Sequence, residues 1–509
     1  MKKNIMILGA GLMQKPAILS AKELGCKTFV VDANPNAVCA DEADVFEVID
    51  LKNRDELFEY AKKIDWEEGL DAVFTAGTDF SANVAYIAEK LDLPGHSYQA
   101  ALNASDKVLM RKCFLEHGVA SPAFKEVTLY DLAELKNSPE KFLKKNGFSP
   151  DEFPYVVKPC DSMGGRGCRM VNDFPEIYDA LKNAIKYSRS GRAIFEEYMD
   201  GREFSIDALV FDGKIIITGF AERHIHFAPY FIEMGHTMSA VLTQNEYDEL
   251  RNEFVQGIRS LGLTHGVAKA DIKLSKKGAM IGEIAARLSG GYMSGWTFPY
   301  ASGINLTRQA ILLALGEKCE LESSQNTKEF YGDVVPSKSC AERAWISIPG
   351  RVAQIYGLDE ATKIEGIQDV LPRVKVGDDV VFPKNNVEKC GNVISLSSSR
   401  EKAMANAEKA VSSIVIRLEK NNPVTDAFFA YATDDAYDIP PAYTSSAIQF
   451  PEDSSPDWNY RSLDQTASLF KQITGFEIDF SNNDADYLRY LYRGGIQGLL
   501  YWFDSFISQ

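Results

Sequence analysis

The stretch Tyr155-Val156-Val157-Lys158-Pro159-Cys160-Asp161-Ser162-Met163-Gly164-Gly165-Arg166-Gly167 decides how the rest of the chain is read. Its first half is a short apolar strand ending in a lysine, and its second half is a glycine-rich loop. Such a loop suits a polyphosphate, because glycine lets backbone N–H groups approach phosphate oxygens with no Cβ in the way, and Lys158 adds a compact positive charge. It is not a Walker A loop, which needs Gly-Lys-Ser/Thr opening a helix; here the lysine precedes the glycines and Pro159 ends the strand. Taken alone, the same residues also describe a flexible turn after an edge strand, so the decision rests on what lies downstream.

Downstream, Gly266 to Leu274 and Ala279 to Gly291 read as a hairpin about Lys276-Lys277. Folded so, Asp271 comes within a residue of Glu283 across the ladder, where directly opposite side chains lie about 4.5–5.5 Å apart. Two carboxylates that close repel unless a cation sits between them. Carboxylate oxygens are hard ligands and no cysteine or histidine joins them, so magnesium is the natural ion. Glu283, Ala285 and Arg287 share a face by the two-residue period of a strand, which aims Arg287 into the same space. A solvated acidic hairpin is the alternative, and the apolar residues around both acids fit it poorly.

Between these centres, Ala193-Ile194-Phe195-Glu196-Glu197-Tyr198-Met199 is a strand that offers backbone amides and an apolar slot for a planar ring such as adenine, and Glu203 stands where it could accept hydrogen bonds from a ribose. Ser105-Asp106 cap a helix from Lys107 to His117, with Arg111 one turn on. A lysine in a first turn opposes the helix dipole unless an anion is near, although a solvated helix-start lysine is the plainer reading. Segments 119–127 and 153–158 read as strands of a small lobe covered by a helix at 173–188.

The N-terminal hundred residues alternate strand and helix, from Asn4–Leu8 through Thr28–Asp32, Val45–Val48 and Asp71–Thr75, which predicts a parallel sheet. The Gly9-Ala10-Gly11 turn lacks the third glycine of a dinucleotide fingerprint, Gln14 standing in its place, so a Rossmann-like half used for shape is favoured over a nicotinamide site. Across 509 residues, 45% hydrophobic and 25% charged, the composition is that of an ordinary globular protein with room for three or four domains. A net charge of −17 argues against nucleic acid or an anionic membrane as the main partner. The eight scattered cysteines include no Cys-x-x-Cys pair, so reduced thiols of a cytoplasmic protein are expected, and Cys160 and Cys168 beside the loop read as bystanders.

Lys107, Lys158 with its glycine loop, Glu196-Glu197 to Glu203, and Asp271 with Glu283 and Arg287, in that order, resemble the ATP-grasp superfamily of carboxylate–amine ligases over about residues 1–420. The resemblance implies an α/β chain with a Rossmann-like domain at 1–104, an ATP-grasp fold of two α+β lobes at 105–310 (small lobe about 119–190), a small β-rich C-terminal domain at 311–420, and an acidic, aromatic-rich extension at 421–509. It implies ATP and Mg2+ (or Mn2+) as cofactors, with Lys107, Lys158, Ser162, Gly164, Gly165 and Gly167 around the phosphates. Glu196, Glu197, Tyr198 and Met199 would line the adenine slot, Glu203 would take the ribose, Asp271 and Glu283 the metal, and Arg287 the acyl phosphate or substrate carboxylate. Many members have Asn two residues after the second carboxylate, where this chain has Ala285, and that puts a second magnesium in doubt. A narrower likeness is Glu233-Met234-Gly235-His236, which resembles the branch that joins amino acids into dipeptides, where that histidine lies by the reacting carboxylate. The expected activity is ADP-forming ligation of a carboxylate to an amine. The alternatives are bicarbonate phosphorylation or a purine-biosynthesis reaction, or a non-catalytic nucleotide-binding scaffold. A homodimer is suggested by the superfamily alone. The extension, with Pro440-Pro441, Pro451 and an apolar Leu499-Leu500-Tyr501-Trp502-Phe503, is expected to pack on the core or on another subunit.

Overall fold

The computed structural model describes residues 2–321, 331–430, 439–443, 455–478, 480 and 486–507. They form two compact units, Met1–Arg223 with Thr237–Ser339, and His224–His236 with Cys340–Gln509. The segment 224–236, which carries Glu233 and His236, belongs to the second unit.

The first unit opens with a four-stranded parallel sheet in the order Val45–Val48, Lys27–Asp32, Asn4–Leu8, Ala72–Phe74. The strands Lys27–Asp32, Asn4–Leu8 and Ala72–Phe74 are apolar runs, as a sheet covered by helices requires, while the edge strand Val45–Val48 exposes Glu47. The βα turn is filled by the chain itself: Gln14 is 4% exposed, its side-chain oxygen accepts from the Gly11 N–H at 3.0 Å and its amide donates to the Ala76 carbonyl. The acid after the second strand, Asp32, accepts from the Ala10 N–H at 2.8 Å.

The small lobe is an antiparallel sheet ordered Phe124–Val127, Ala193–Glu197, Tyr155–Pro159, Arg169–Val171. Its first strand begins at Phe124 rather than 119, because Pro122 has no N–H to give a ladder. The helices Leu129–Asn137, Pro139–Lys145 and Phe174–Tyr187 cover one face and bury Leu132, Leu135, Phe142, Leu181 and Ile185 against Tyr155, Val157 and Phe195. The large lobe carries Gly278–Ala285, Gly266–Ser275, Arg202–Phe211 and Lys214–His226 as successive antiparallel neighbours, over helix Gln244–Ser260 and helix Lys107–His117. Asp212 and Gly213, both at positive φ, make the tight turn between the last two strands.

The second unit orders Ile232–Met238, Ser339–Trp345, Gly391–Ser397 and Ile367–Pro372 in one sheet and Asp379–Val380, Gly350–Tyr356 and Val415–Leu418 in another, with helix Arg400–Ser413 against them. The described part of the C-terminal extension packs onto this unit. Helix Tyr487–Phe506 buries Leu491, Leu499, Leu500 and Tyr501, and Asp504 makes a two-pronged ion pair with Arg417. Pro451 lies outside the described residues.

Candidate active site

The strands Gly266–Ser275 and Gly278–Ala285 meet in a register that sets Asp271 directly opposite Glu283. From the turn to Ile272↔Ile281 the ladder is regular; continued without a break it would pair Asp271 with Gly282 and turn Glu283 to the other face. A one-residue bulge at this point, Gly282, brings the two acids onto one face. The bulge is held from outside the hairpin. Arg111, fully buried, donates from Nη2 to the Gly282 carbonyl at 2.7 Å and from Nε to Glu196 at 2.8 Å.

Lys107 is brought to the same place by its helix. Asp106 caps the helix through the Val108 and Leu109 N–H groups, and the Lys107 ammonium, 7% exposed, lies 3.3 Å from Glu283 Oε2 while donating to the Ser162 carbonyl of the glycine loop at 3.0 Å. Burial alone would push the Glu283 carboxyl up, but Lys107 and Lys269 pull it down to about 2. Asp271 is also held well below the carboxylate range against its burial, by Arg223 at 3.1 Å and by an ion pair with Lys269, with Ser205 Oγ donating at 2.9 Å. The pair is therefore neutralised in part by the protein's own cations. As a donor set for magnesium the two carboxylates still fit, since that ion takes one or two protein carboxylates and completes its shell with water and substrate phosphates. Among the described residues no group of three or more Asp, Glu, His or Cys side chains forms a metal cage.

Thr78, Asp79, Ser81, Lys107, Asp161, Ser162, Arg189, Glu283, Ala285 and Arg287 line a cleft of about 360 Å³, part of it open to solvent. Arg287, 6% exposed, enters it beyond the end of the strand and anchors itself on the Leu288 carbonyl at 3.1 Å. Asp79 joins from the parallel sheet's last loop; burial raises its carboxyl against the pull of Arg287 and Lys107.

Lys158 ends its strand with its ammonium 2.5 Å from Glu196, and the Glu196 carboxylate, 1% exposed, is shared between Lys158 and Arg111. The Glu196 side chain thus acts on Lys158, beyond the slot-lining place expected from the sequence. The glycine loop has Gly164, Gly165 and Gly167 all in the left-handed region, and a Cβ on Gly167 would lie 3.0 Å from Pro159 and Tyr187. Other residue types would be strained there. Arg166 in the loop approaches Asp79 at 3.9 Å. Burial pushes the Cys160 and Cys168 thiols up to about 12 and about 11, which keeps both protonated.

In the expected adenine slot, the Glu197 N–H is already bonded to the Ala123 carbonyl at 2.9 Å and its carboxylate pairs with Lys277, so Glu197 offers no amide to a ring. The Tyr198 ring lies 5.1 Å from the Lys273 ammonium, which also donates to the Met199 carbonyl at 3.1 Å, and Met199 Cε comes close over Gly282. Glu203 pairs with Arg223 and with Lys273 at 3.4 Å.

In the second unit, His236 is 1% exposed with Nδ1 3.3 Å from Glu342 and 3.9 Å from Glu233. Its preceding glycine is explained by packing: a Cβ on Gly235, at φ +154°, would stand 2.1 Å from the Glu342 carbonyl oxygen. The parts played by Arg111, Lys269, Arg223 and Asp79 emerge only in the folded chain. Arg111 had a signal, a cation on the same helix face as Val108, Met110 and Phe114; Lys269 had another, its two-residue spacing from Asp271.

Residues 151–295 match the family model described as ATP-grasp domain, and residues 344–419 match L-amino acid ligase C-terminal domain 2. The solved L-amino acid ligase from Bacillus licheniformis is similar with a TM-score of 0.69 and 20% identity, over 82% of this chain and 99% of that one. Phosphoribosylglycinamide synthetase from Anaerococcus prevotii is similar at 0.61 and 22% identity, over 82% and 100%. Uncharacterized protein y4rH of Sinorhizobium fredii is 24% identical over 81% of this chain and 82% of its own length. Carnosine synthase 1 of Gallus gallus is 26% identical over 62% of this chain, which spans 35% of that protein. Residues 151–295 thus carry an ATP-grasp domain, and the fold is the one shared by the ATP-grasp ligases compared here. The stretch that matches L-amino acid ligase C-terminal domain 2 lies in the second unit. No helix of the described residues is long and apolar enough to cross a membrane.

Proposed function

We propose that this chain activates the carboxylate of an amino acid as an acyl phosphate with ATP, releasing ADP, and then joins the acyl group to an amine. The observation that carries the proposal is the bulged register that opposes Asp271 to Glu283, with Lys107 linking Glu283 to the Ser162 carbonyl of the glycine loop and Arg287 in the same cleft. The match to L-amino acid ligase C-terminal domain 2 supports an amino acid as the activated partner.

In this reading a carboxylate oxygen attacks the γ-phosphorus as the bond to the β-phosphate oxygen breaks, and the amine nitrogen then attacks the acyl carbon, expelling phosphate. Lys107 and Lys158 meet the phosphate oxygens, Lys158 trading its contact with Glu196 for them. Asp271 and Glu283 would hold magnesium, which when bound neutralises charge on the transferring phosphoryl group. Arg287 orients the substrate carboxylate, and catalysis is chiefly positioning and electrostatics. The loop 162–167 closes to keep water from the acyl phosphate. Met199 and Tyr198 line the adenine, and Glu203 takes the ribose. Glu233 and His236 are assigned to the reacting carboxylate on the strength of their motif. The eight free cysteines support a reducing, cytoplasmic setting.

The test is ADP release across amino acids, singly and in pairs. Release that depends on a pair, with a peptide-bonded product by mass, is the expected result. Release that depends on bicarbonate alone would replace the proposal by bicarbonate phosphorylation, and no release under any condition would leave a binding scaffold.

A further inference from the structure

One step along the hairpin from Asp271 and Glu283 stands a second cross-strand pair: Lys269 lies directly opposite Ala285. By the period of the strand, Lys269 shares the face of Asp271. Lys269 is 8% exposed and Ala285 6%. The Lys269 ammonium is ion-paired with Asp271, and its charge also holds Glu283 ionised. On its other side the neighbouring strand sets Asp207 opposite Lys269, but the Asp207 carboxylate is occupied by Ser289 Oγ at 2.6 Å and Ser294 Oγ at 2.5 Å. The Ala285 methyl offers no oxygen to a cation.

Resting on the nucleotide reading above, we propose that the Lys269 ammonium takes the place of a second divalent cation, so that the Asp271–Glu283 site binds one divalent ion with its nucleotide and not two. The arrangement of charge favours this count, because a second dication would have to sit in contact with an ammonium already seated on Asp271. The donor set agrees, since cross-strand position 285 is a methyl facing a lysine and adds no oxygen to the two carboxylates.

The experiment counts Mn2+ by the electron paramagnetic resonance of the free ion, in the full chain saturated with the non-hydrolysable β,γ-imido analogue of ATP. One tightly held Mn2+ per chain is expected, and one in Ala285→Asn, where Lys269 remains. The double variant Lys269→Met with Ala285→Asn is expected to hold two. Two ions in the unaltered chain overturn the inference by themselves, whatever the variants do; so does a count of one in the double variant with its analogue affinity intact. No analogue-dependent Mn2+ in the unaltered chain would instead overturn the nucleotide reading, and this inference with it.

Discussion

Glu283→Gln removes one negative charge from the cleft while keeping the volume of the side chain. The Lys107 ammonium lies 3.3 Å from the Glu283 carboxylate, which is 26% exposed. At an effective dielectric constant of about 20, that separation corresponds to ~5 kcal/mol of gross attraction, which desolvation of both groups offsets in part. The net is read from the carboxyl itself: against its burial, Lys107 and Lys269 hold it at about 2 rather than 4.5. At about 1.4 kcal/mol per unit, this is ~3 kcal/mol of stability. Because the folded value lies below the unfolded one, the contribution is complete above pH 4.5 and is lost as the pH falls through about 2. The variant should therefore be ~3 kcal/mol less stable than the unaltered chain at pH 7, with the gap shrinking to about half near pH 3. Urea unfolding of both proteins at the two pH values measures it. An equal gap at both would show that the side chain acts through packing, and would refute the charge argument. The same variant should release no ADP and should lose Mn2+ affinity by at least ~100-fold, since even an outer partner of a metal ligand is worth about 10–100-fold. Undiminished ADP release would remove Glu283 from the metal.

Arg111→Met leaves the buried Glu196 carboxylate with Lys158 alone and frees the Gly282 carbonyl, and should cost ~3–5 kcal/mol in urea unfolding. Lys158→Met should cost less than half as much, because Arg111 still covers Glu196; equal costs would contradict the bridging role given to Arg111. Gly235→Ala should destabilise the second unit by ~3 kcal/mol, the upper range for overpacking, because the new methyl would sit 2.1 Å from the Glu342 carbonyl oxygen. An unchanged midpoint of unfolding would show that the two strands part without strain.

Much of the architecture was legible in the residue order. The parallel sheet follows from alternating apolar runs and helical stretches, and helix Lys107–His117 from its Asp106 cap and the Gly118 that ends it at φ +68°. The glycine loop was legible because three left-handed positions admit few other residues. Less legible were pairings between distant segments. Glu196 looks like a strand residue beside a slot, and only the packed chain shows it as the shared counter-ion of Arg111 and Lys158, 85 residues from the first. Likewise the Gly-His of residues 235 and 236 looks like a functional motif, while the glycine answers to the close passage of Glu342.

The hairpin of Asp271 and Glu283 draws the line most sharply. Strand periods and the turn at Lys276-Lys277 are local properties, so the two strands and the approach of Asp271 to within one residue of Glu283 follow from the sequence. A one-residue error in a ladder, however, reverses the face of every side chain beyond it. Whether the acids meet or point apart was settled by the bulge at Gly282, which a guanidinium 171 residues away along the chain holds in place through a single carbonyl. No local rule encodes that contact, because it exists only once helix Lys107–His117 has packed beneath the hairpin.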